Sequence, residues 1–163
     1  MDAAMHAGTT TRPTRTFLVP DAATIAGSVV ALGCTLVGQY VDTPWKSGPG
    51  DWGIDFAGEG GWGALAVLIA MIGVGAFLTG LATARARAVG PERAARRSLV
   101  LAALGFLTLV AFWTGLPAVL AGGATGLALD TRRRSGRTAA TAAVAIGLSV
   151  LTAASAVYLA FTG

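Results

Sequence analysis

The chain has 163 residues, of which 54% are hydrophobic and 12% charged, and its formal net charge is +4. This composition is too apolar for an ordinary soluble domain of this length. No Asp, Glu, Lys or Arg occurs in four long ranges, 22–41, 62–84, 98–129 and 138–161. The basic residues form short clusters between these ranges and do not follow a helix face, so the positive charge predicts no nucleic-acid partner.

Residues 1–20 contain two prolines and many small polar residues without a helical period, which predicts a mobile tail before a membrane domain at 21–163. Cys34 is the only cysteine, so no disulfide forms within the chain. The segment "VALGC" resembles a lipobox, but Ala31 and Leu32 stand in the reverse order of that motif and the apolar run continues beyond Cys34. We therefore expect an uncleaved first span, and modification of Cys34 is left open.

The lengths of the uncharged runs predict the number of membrane crossings, because a helix needs about 20 residues to cross a hydrocarbon core of about 30 Å. Three runs each supply one crossing, whereas 98–129 is too long for one upright helix and slightly short for two. Near its middle, "WTGLP" contains a glycine and a proline that favour a hairpin. We predict an all-α integral membrane bundle of five helical segments, at about 22–41, 62–84, 96–114, 116–133 and 138–161, with an outer loop at 42–61. The alternative is four full spans with 116–129 as a short re-entrant or interfacial segment.

The positions of the basic residues predict the orientation, because Lys and Arg in short loops stay on the cytoplasmic side. With five crossings, eleven of the twelve Lys and Arg residues lie on the side of the N-terminus, and only Lys46 lies on the other. The sequence therefore predicts a multi-pass protein of the cell membrane, with a cytoplasmic N-terminus and an extracytoplasmic C-terminus.

Small residues spaced by four predict close helix packing in the fourth segment, because they let two backbones approach within a bilayer. Ala118, Gly122 and Gly126 form such a ridge. The last helix offers a partner line with the same spacing: Thr141, Ala145, Ser149 and Ala153. Whether the ridge packs within one chain or joins copies of a homo-oligomer is left open.

A basic cluster follows the fourth segment and consists of Arg132, Arg133, Arg134 and Arg137. Its first interpretation is a cytoplasmic topology signal, and it is also suited to anionic lipid headgroups, since each basic residue near such a surface contributes about 1 kcal/mol. Asp130 precedes Arg133 and Arg134 by three and four residues, a spacing that predicts local ion pairs on a continuing helix.

The outer loop "DTPWKSGPGDWGIDFAGEGGWG" holds most of the residues suited to chemistry. Its G-x-G-x-x-G pattern follows a helical segment and not the strand that dinucleotide binding requires. Its acidic residues recur every fourth position and not at the alternating positions of a calcium loop, so we predict neither a cofactor nor a metal. Its tryptophans are typical of interfacial anchors. The candidate recognition residues are Trp45, Asp51, Trp52, Asp55, Glu59 and Trp62.

The apolar runs contain no Asp, Glu, Lys or Arg, and the single histidine, His6, lies in the N-terminal tail. No nucleophile and base can therefore be paired within the membrane, which predicts that the protein is not an enzyme. We expect a structural or accessory component of a larger membrane assembly, with a membrane-protein partner or further copies of itself. The alternatives are a small oligomeric transporter or channel, and a sensor whose outer loop binds a ligand.

From Ser98 onward the chain reads "SLVLAALGFLTLVAFWTGLPAVLAGGATGLALDTRRRSGRTAATAAVAIGLSVL". This stretch resembles small, uncharacterised membrane-protein families of the actinobacterial type. They pair a Leu-, Ala- and Gly-rich hairpin, interrupted by Gly or Pro, with an Arg-Arg-Ser-Gly linker and another helix. The resemblance implies a helical membrane fold and no particular substrate, cofactor or catalytic residue.

Overall fold

A computed structural model of the protein describes residues 20–46, 52–55, 61–136 and 139–163, so nearly all of the predicted N-terminal tail lies outside the described residues. The described chain is all-α, which confirms the predicted class. Its five helices are α1 Ala22–Tyr40, α2 Gly61–Arg87, α3 Pro91–Leu107, α4 Leu116–Ser135 and α5 Ala140–Thr162. A 3-10 segment, Thr108–Thr114, prolongs α3, and two short strands, β1 Val41–Asp42 and β2 Gly53–Ile54, pair antiparallel.

Local sequence explains where the helices begin. Asp21 caps α1 by accepting a hydrogen bond from the backbone N–H of Thr24 at 2.7 Å. The third helix begins at Pro91, directly after its N-cap Gly90, and not near residue 96 as predicted. Proline is favoured in the first turn of a helix and arginine is a good helix former, so the basic stretch after Pro91 joins the helix.

The chain turns sharply between α3 and α4 at Gly115, where the sequence predicted a hairpin. Gly115 has φ 72°, a left-handed conformation that favours glycine. A Cβ at this position would lie 3.0 Å from the side chains of both Ala31 and Ile72, so the site also lacks room for a larger residue. Pro117 follows in the first turn of α4, which fixes the direction in which the new helix leaves.

The fourth helix lies at the centre of the bundle. Within the described residues, α4 alone packs substantially against all four other helices. Each of the outer helices contacts α4 and two neighbours, so that α1, α2, α3 and α5 form a ring around it in that order. Gly122 of α4 meets Gly27 of α1, and Gly126 meets Asp21 at the start of α1, so these two helices run antiparallel.

The bundle buries its small residues and exposes its large apolar ones. Ala124 and Ala128 of α4 are fully buried, as are Ala142 and Ala145 of α5. In contrast, α2 leaves several of its large apolar side chains more than half exposed, among them Val67, Val74, Phe77 and Leu78. Large apolar residues normally fill the interior of a soluble protein, so this distribution is reversed.

Four helices of the described chain are long and apolar enough to cross a membrane: α1, α2, α3 with its 3-10 extension, and α5. The central helix is not among them, because its second half carries Asp130 and three consecutive arginines. Its first half consists largely of alanine, glycine and threonine, side chains that pack closely but present little apolar surface.

Candidate functional site

One end of the bundle, here called the basic end, gathers the start of α1, the end of α2, the start of α3 and the end of α4. The Arg134 guanidinium donates a hydrogen bond to the carbonyl of Arg87 at 2.7 Å, and that of Arg97 donates to the carbonyl of Arg85 at 3.4 Å. The end of α2 therefore lies beside the end of α4 and the start of α3. Positive side chains at the C-terminal ends of α2 and α4 also complement the helix dipoles there.

The predicted basic cluster lies at this end. Arg132, Arg133 and Arg134 occupy the last turns of α4 and are exposed, whereas Arg137 lies outside the described residues. Of the two predicted partners of Asp130, only Arg134 is paired with it, with Nε 2.9 Å from Oδ2. Among the described residues Arg133 has no ion-pair partner, which leaves its charge available at the surface.

An ion-pair network that the sequence analysis missed joins three helices at the basic end. Arg87 at the end of α2 pairs with Asp21, the N-cap of α1, and its Nε lies 3.8 Å from Oδ2 of Asp130 on α4. Asp21 can pack against α4 because residue 126 is a glycine. A Cβ on Gly126 would lie 2.9 Å from the carboxyl carbon of Asp21. The three charged side chains are 19–28% exposed, so their attraction is only partly screened by solvent.

The predicted ridge of Ala118, Gly122 and Gly126 packs against α1 of the same chain. A Cβ on Gly122 would lie 2.5 Å from the carbonyl oxygen of Ala23, and one on Gly27 would lie 2.5 Å from that of Ala118. Neither helix could hold its position if either glycine gained a side chain. The sequence analysis missed Gly27, although the spacing of Ala23, Gly27 and Ala31 in α1 is the same signal.

The suggested partner line of α5 contacts another part of α4. Ala142 and Ala145 pack with Ala124 and Ala128 of α4, together with alanines of α3. Ser149 lies farther along α5 beside Gly122, at an open groove between α1 and α5. The closest neighbours of the glycine ridge therefore come from α1 and not from α5.

Side-chain hydrogen bonds join the helices at the opposite end, here called the outer end. The hydroxyl of Thr43, which is fully buried, donates to the carbonyl of Phe161 near the end of α5 at 2.7 Å. The Tyr40 hydroxyl donates to the carbonyl of Gly61 at 2.8 Å. The Val41–Ile54 pair between β1 and β2 holds the returning chain against the end of α1.

Lys46, which the sequence analysis treated only as the exception to the charge rule, caps α1. Its Nζ donates to the carbonyls of Val37 and Gly38 at 3.3 and 3.1 Å, two acceptors of the last helical turn. Burial lowers the pKa of Lys46, and the nearby negative charge of Asp42 acts in the opposite direction. The cation therefore complements the negative end of the helix dipole while losing part of its hydration.

Two tryptophans of the predicted recognition loop form an exposed apolar patch. The rings of Trp45 and Trp52 meet edge to face, with centroids 5.9 Å apart. They are 64% and 62% exposed, and Ile54 is 67% exposed. We call these three residues the tryptophan patch.

The other predicted loop residues are only partly brought to the patch. Trp62 lies at the start of α2 and is 71% exposed. Asp55 is tied to the bundle by a hydrogen bond from its backbone N–H to the carbonyl of Tyr40 at 2.9 Å. Asp51 and Glu59 lie outside the described residues, and so do the first two glycines of the G-x-G-x-x-G pattern. No group of three His, Cys, Asp or Glu side chains suited to a metal ion occurs in the described ranges.

The described geometry thus offers two separate candidate surfaces, the tryptophan patch at the outer end and the arginines at the basic end. The resemblance to small actinobacterial-type membrane proteins stays a prediction. Comparison of the chain with protein-family models, with curated proteins and with solved structures finds no match.

Proposed function

We propose that the protein is a non-enzymatic integral membrane protein that acts as a structural or accessory component of a larger assembly. The observation that supports membrane insertion is the reversed distribution of side chains. Alanine, glycine and hydroxyl residues predominate inside, whereas many valine, leucine, isoleucine and phenylalanine side chains are exposed. Small residues allow close helix packing in lipid, where large apolar side chains gain nothing by leaving the surface. The same surface in water would be a severe aggregation risk.

All five helices cross the membrane in this proposal, including α4. At about 1.5 Å per residue, its 20 residues extend about 30 Å, the thickness of a hydrocarbon core. Gly115 before its start lies beside Ala31 in the middle of α1, and Gly126 lies beside Asp21, so the second half of α4 extends past the start of α1. Its low apolar content is tolerable because the ring of α1, α2, α3 and α5 shields it from lipid.

The two ends support a cytoplasmic N-terminus and an extracytoplasmic C-terminus. The described arginines gather at the basic end, which the charge rule assigns to the cytoplasm. Three of the four tryptophans belong to the outer end, where Trp62 is 71% exposed, and Trp113, 48% exposed, lies nearer the middle of the bundle beside Thr35. Indole rings are favoured at the membrane interface, so the arginines and the tryptophans indicate opposite surfaces of the bilayer.

The accessory role is supported by the tryptophan patch. Tryptophan is enriched among the residues that contribute most to protein interfaces, and two of them here are more than half exposed on a loop that strands and hydrogen bonds hold in place. A sensor is the second candidate, because the same patch could hold a small apolar ligand. A channel assembled through the glycine ridge is less favoured, because α1 of the same chain already covers that ridge.

Affinity purification from native membranes in mild detergent tests the accessory role. We expect a specific membrane-protein partner to copurify with the wild type and to be lost from the Trp45→Ala/Trp52→Ala variant. Trp62→Ala is the matched control, since it removes an equally exposed indole outside the patch and should retain the partner. A monomer with nothing bound would contradict the accessory role, and extraction of the protein from membranes by alkaline carbonate would contradict membrane insertion.

A further inference from the structure

We propose that the seam between α1, α4 and α5 binds one anionic phospholipid, with the headgroup phosphate at Arg133 and an acyl chain along the groove above it. The inference rests on the proposed membrane insertion and assigns a defined place to a lipid that the basic cluster alone would attract diffusely.

The headgroup part of the seam is an open cleft of about 420 Å³ at the basic end, lined in part by charged side chains. Asp21, Arg87, Asp130 and Arg133 contribute its charged side chains. The two carboxylates are already engaged by the guanidinium groups of Arg87 and Arg134, so three cations face two anions and one positive charge is left over. The uncompensated cation is Arg133, which has no ion-pair partner among the described residues.

The acyl part is an apolar groove of about 240 Å³ between α1 and α5, with α4 as its floor. Gly27 and Gly122, which pack against each other, form the floor, and Val30 and Val150 also line the groove. Ala23 lines both the groove and the cleft, and Gly126 of the cleft lies about one helical turn from Gly122. The two spaces therefore follow one another along a single seam.

The surroundings of the groove favour an acyl chain as its occupant. The groove has a volume of about 240 Å³ and opens at the surface of a bundle that we place in a bilayer, where acyl chains are the molecules around it. Contact with lipid also recovers the dispersion energy that an unfilled groove would lose.

Charge at the mouth of the seam favours an anionic headgroup over a zwitterionic one. Arg133 supplies the positive charge that Asp21 and Asp130, paired with Arg87 and Arg134, leave uncompensated, and it lies in the space next to the apolar groove.

Native mass spectrometry of the purified full chain, titrated in detergent with phosphatidylglycerol or phosphatidylcholine, tests the headgroup. We expect one phosphatidylglycerol to bind in preference to phosphatidylcholine. Arg133→Gln should weaken that binding about fivefold, as expected for one basic residue near an anionic headgroup. Arg132→Gln removes the same charge one residue away, outside the cleft, and should leave the binding unchanged. Equal losses in both variants would overturn the proposal, because they would indicate diffuse attraction.

Filling the groove tests the acyl chain. Ala26 lines the groove and is exposed, so Ala26→Leu should weaken phosphatidylglycerol binding, whereas Ala70→Leu on the exposed face of α2 should not. If inorganic phosphate alone displaced the lipid, the site would recognise only the anionic group, and the assignment of the groove to an acyl chain would be overturned. A dimer that Ala26→Leu dissociates would instead assign the groove to a second copy. A carbonate-resistant protein without lipid preference would refute this inference and leave the proposed membrane insertion intact.

Discussion

At the scale of single residues, buried hydroxyl groups differ in whether the fold gives them a partner. The Thr43 hydroxyl, fully buried, connects the loop after α1 to the end of α5, whereas that of Ser149 has no acceptor within the described residues. Thr43→Val should therefore lower the free energy of unfolding by about 0.5–1.5 kcal/mol, the usual net contribution of one hydrogen bond. Ser149→Ala should change it by less than about 0.5 kcal/mol or raise it, because an unpaired buried hydroxyl is removed.

Reversible unfolding of both variants in detergent, followed by circular dichroism, measures this difference. A loss in Ser149→Ala as large as that in Thr43→Val would indicate that Ser149 has an acceptor in the folded protein. The contrast between the two residues could not be predicted from the sequence, because a hydroxyl in an apolar helix can bond to its own preceding turn or face a neighbouring helix. The Asp21–Arg87 pair was beyond sequence analysis for a similar reason, since its partners are far apart along the chain.

At the scale of helices, the existence of each element could be predicted, but its neighbours could not. Uncharged runs and the Gly115–Pro117 break predict five helices because burial in an apolar medium requires every backbone group to be paired within a helix. The same uncharged runs predict a start for α3 that is too late along the chain. A helix can continue beyond the apolar core, and the arginines after Pro91 are good helix formers. The central position of α4 follows from tertiary packing, to which alanine and glycine give little directional information.

The α1–α4 contact supplies a matched prediction for glycine. Gly122→Ala would place a Cβ 2.5 Å from the Ala23 carbonyl oxygen and 2.9 Å from Cα of Gly27, so α1 must move away. We expect a loss of about 1–3 kcal/mol, as for other overpacked interiors, and a lower thermal midpoint in detergent. Gly33→Ala, on the same α1 but with open space around its Cβ, should be neutral or stabilising by up to about 1 kcal/mol because alanine is the better helix former. Similar effects in both variants would contradict the close contact between α1 and α4.

At the scale of the whole molecule, Trp113 and Ser135 lie at opposite ends of α4. Trp113 comes just before the helix begins, and Ser135 is its last residue. Trp113 is 48% exposed before the Gly115 turn, and Ser135 is exposed at the end of the helix. In the five-crossing arrangement these two residues lie on opposite sides of the membrane, whereas a re-entrant α4 would leave both on one side. The orientation of α4 thus decides whether the basic cluster shares a side with the N-terminus, as the charge rule requires.

Single cysteines in a Cys34→Ala background separate the two arrangements. A membrane-impermeant maleimide applied to intact cells should label Trp113→Cys from outside and should reach Ser135→Cys only after the membrane is opened. Trp45→Cys, on the exposed tryptophan patch, is the control for outside access, because both arrangements place it there. Labelling of both Trp113→Cys and Ser135→Cys from one side would show that α4 does not cross, and the lipid seam would then lose the cytoplasmic position of its Arg133 mouth.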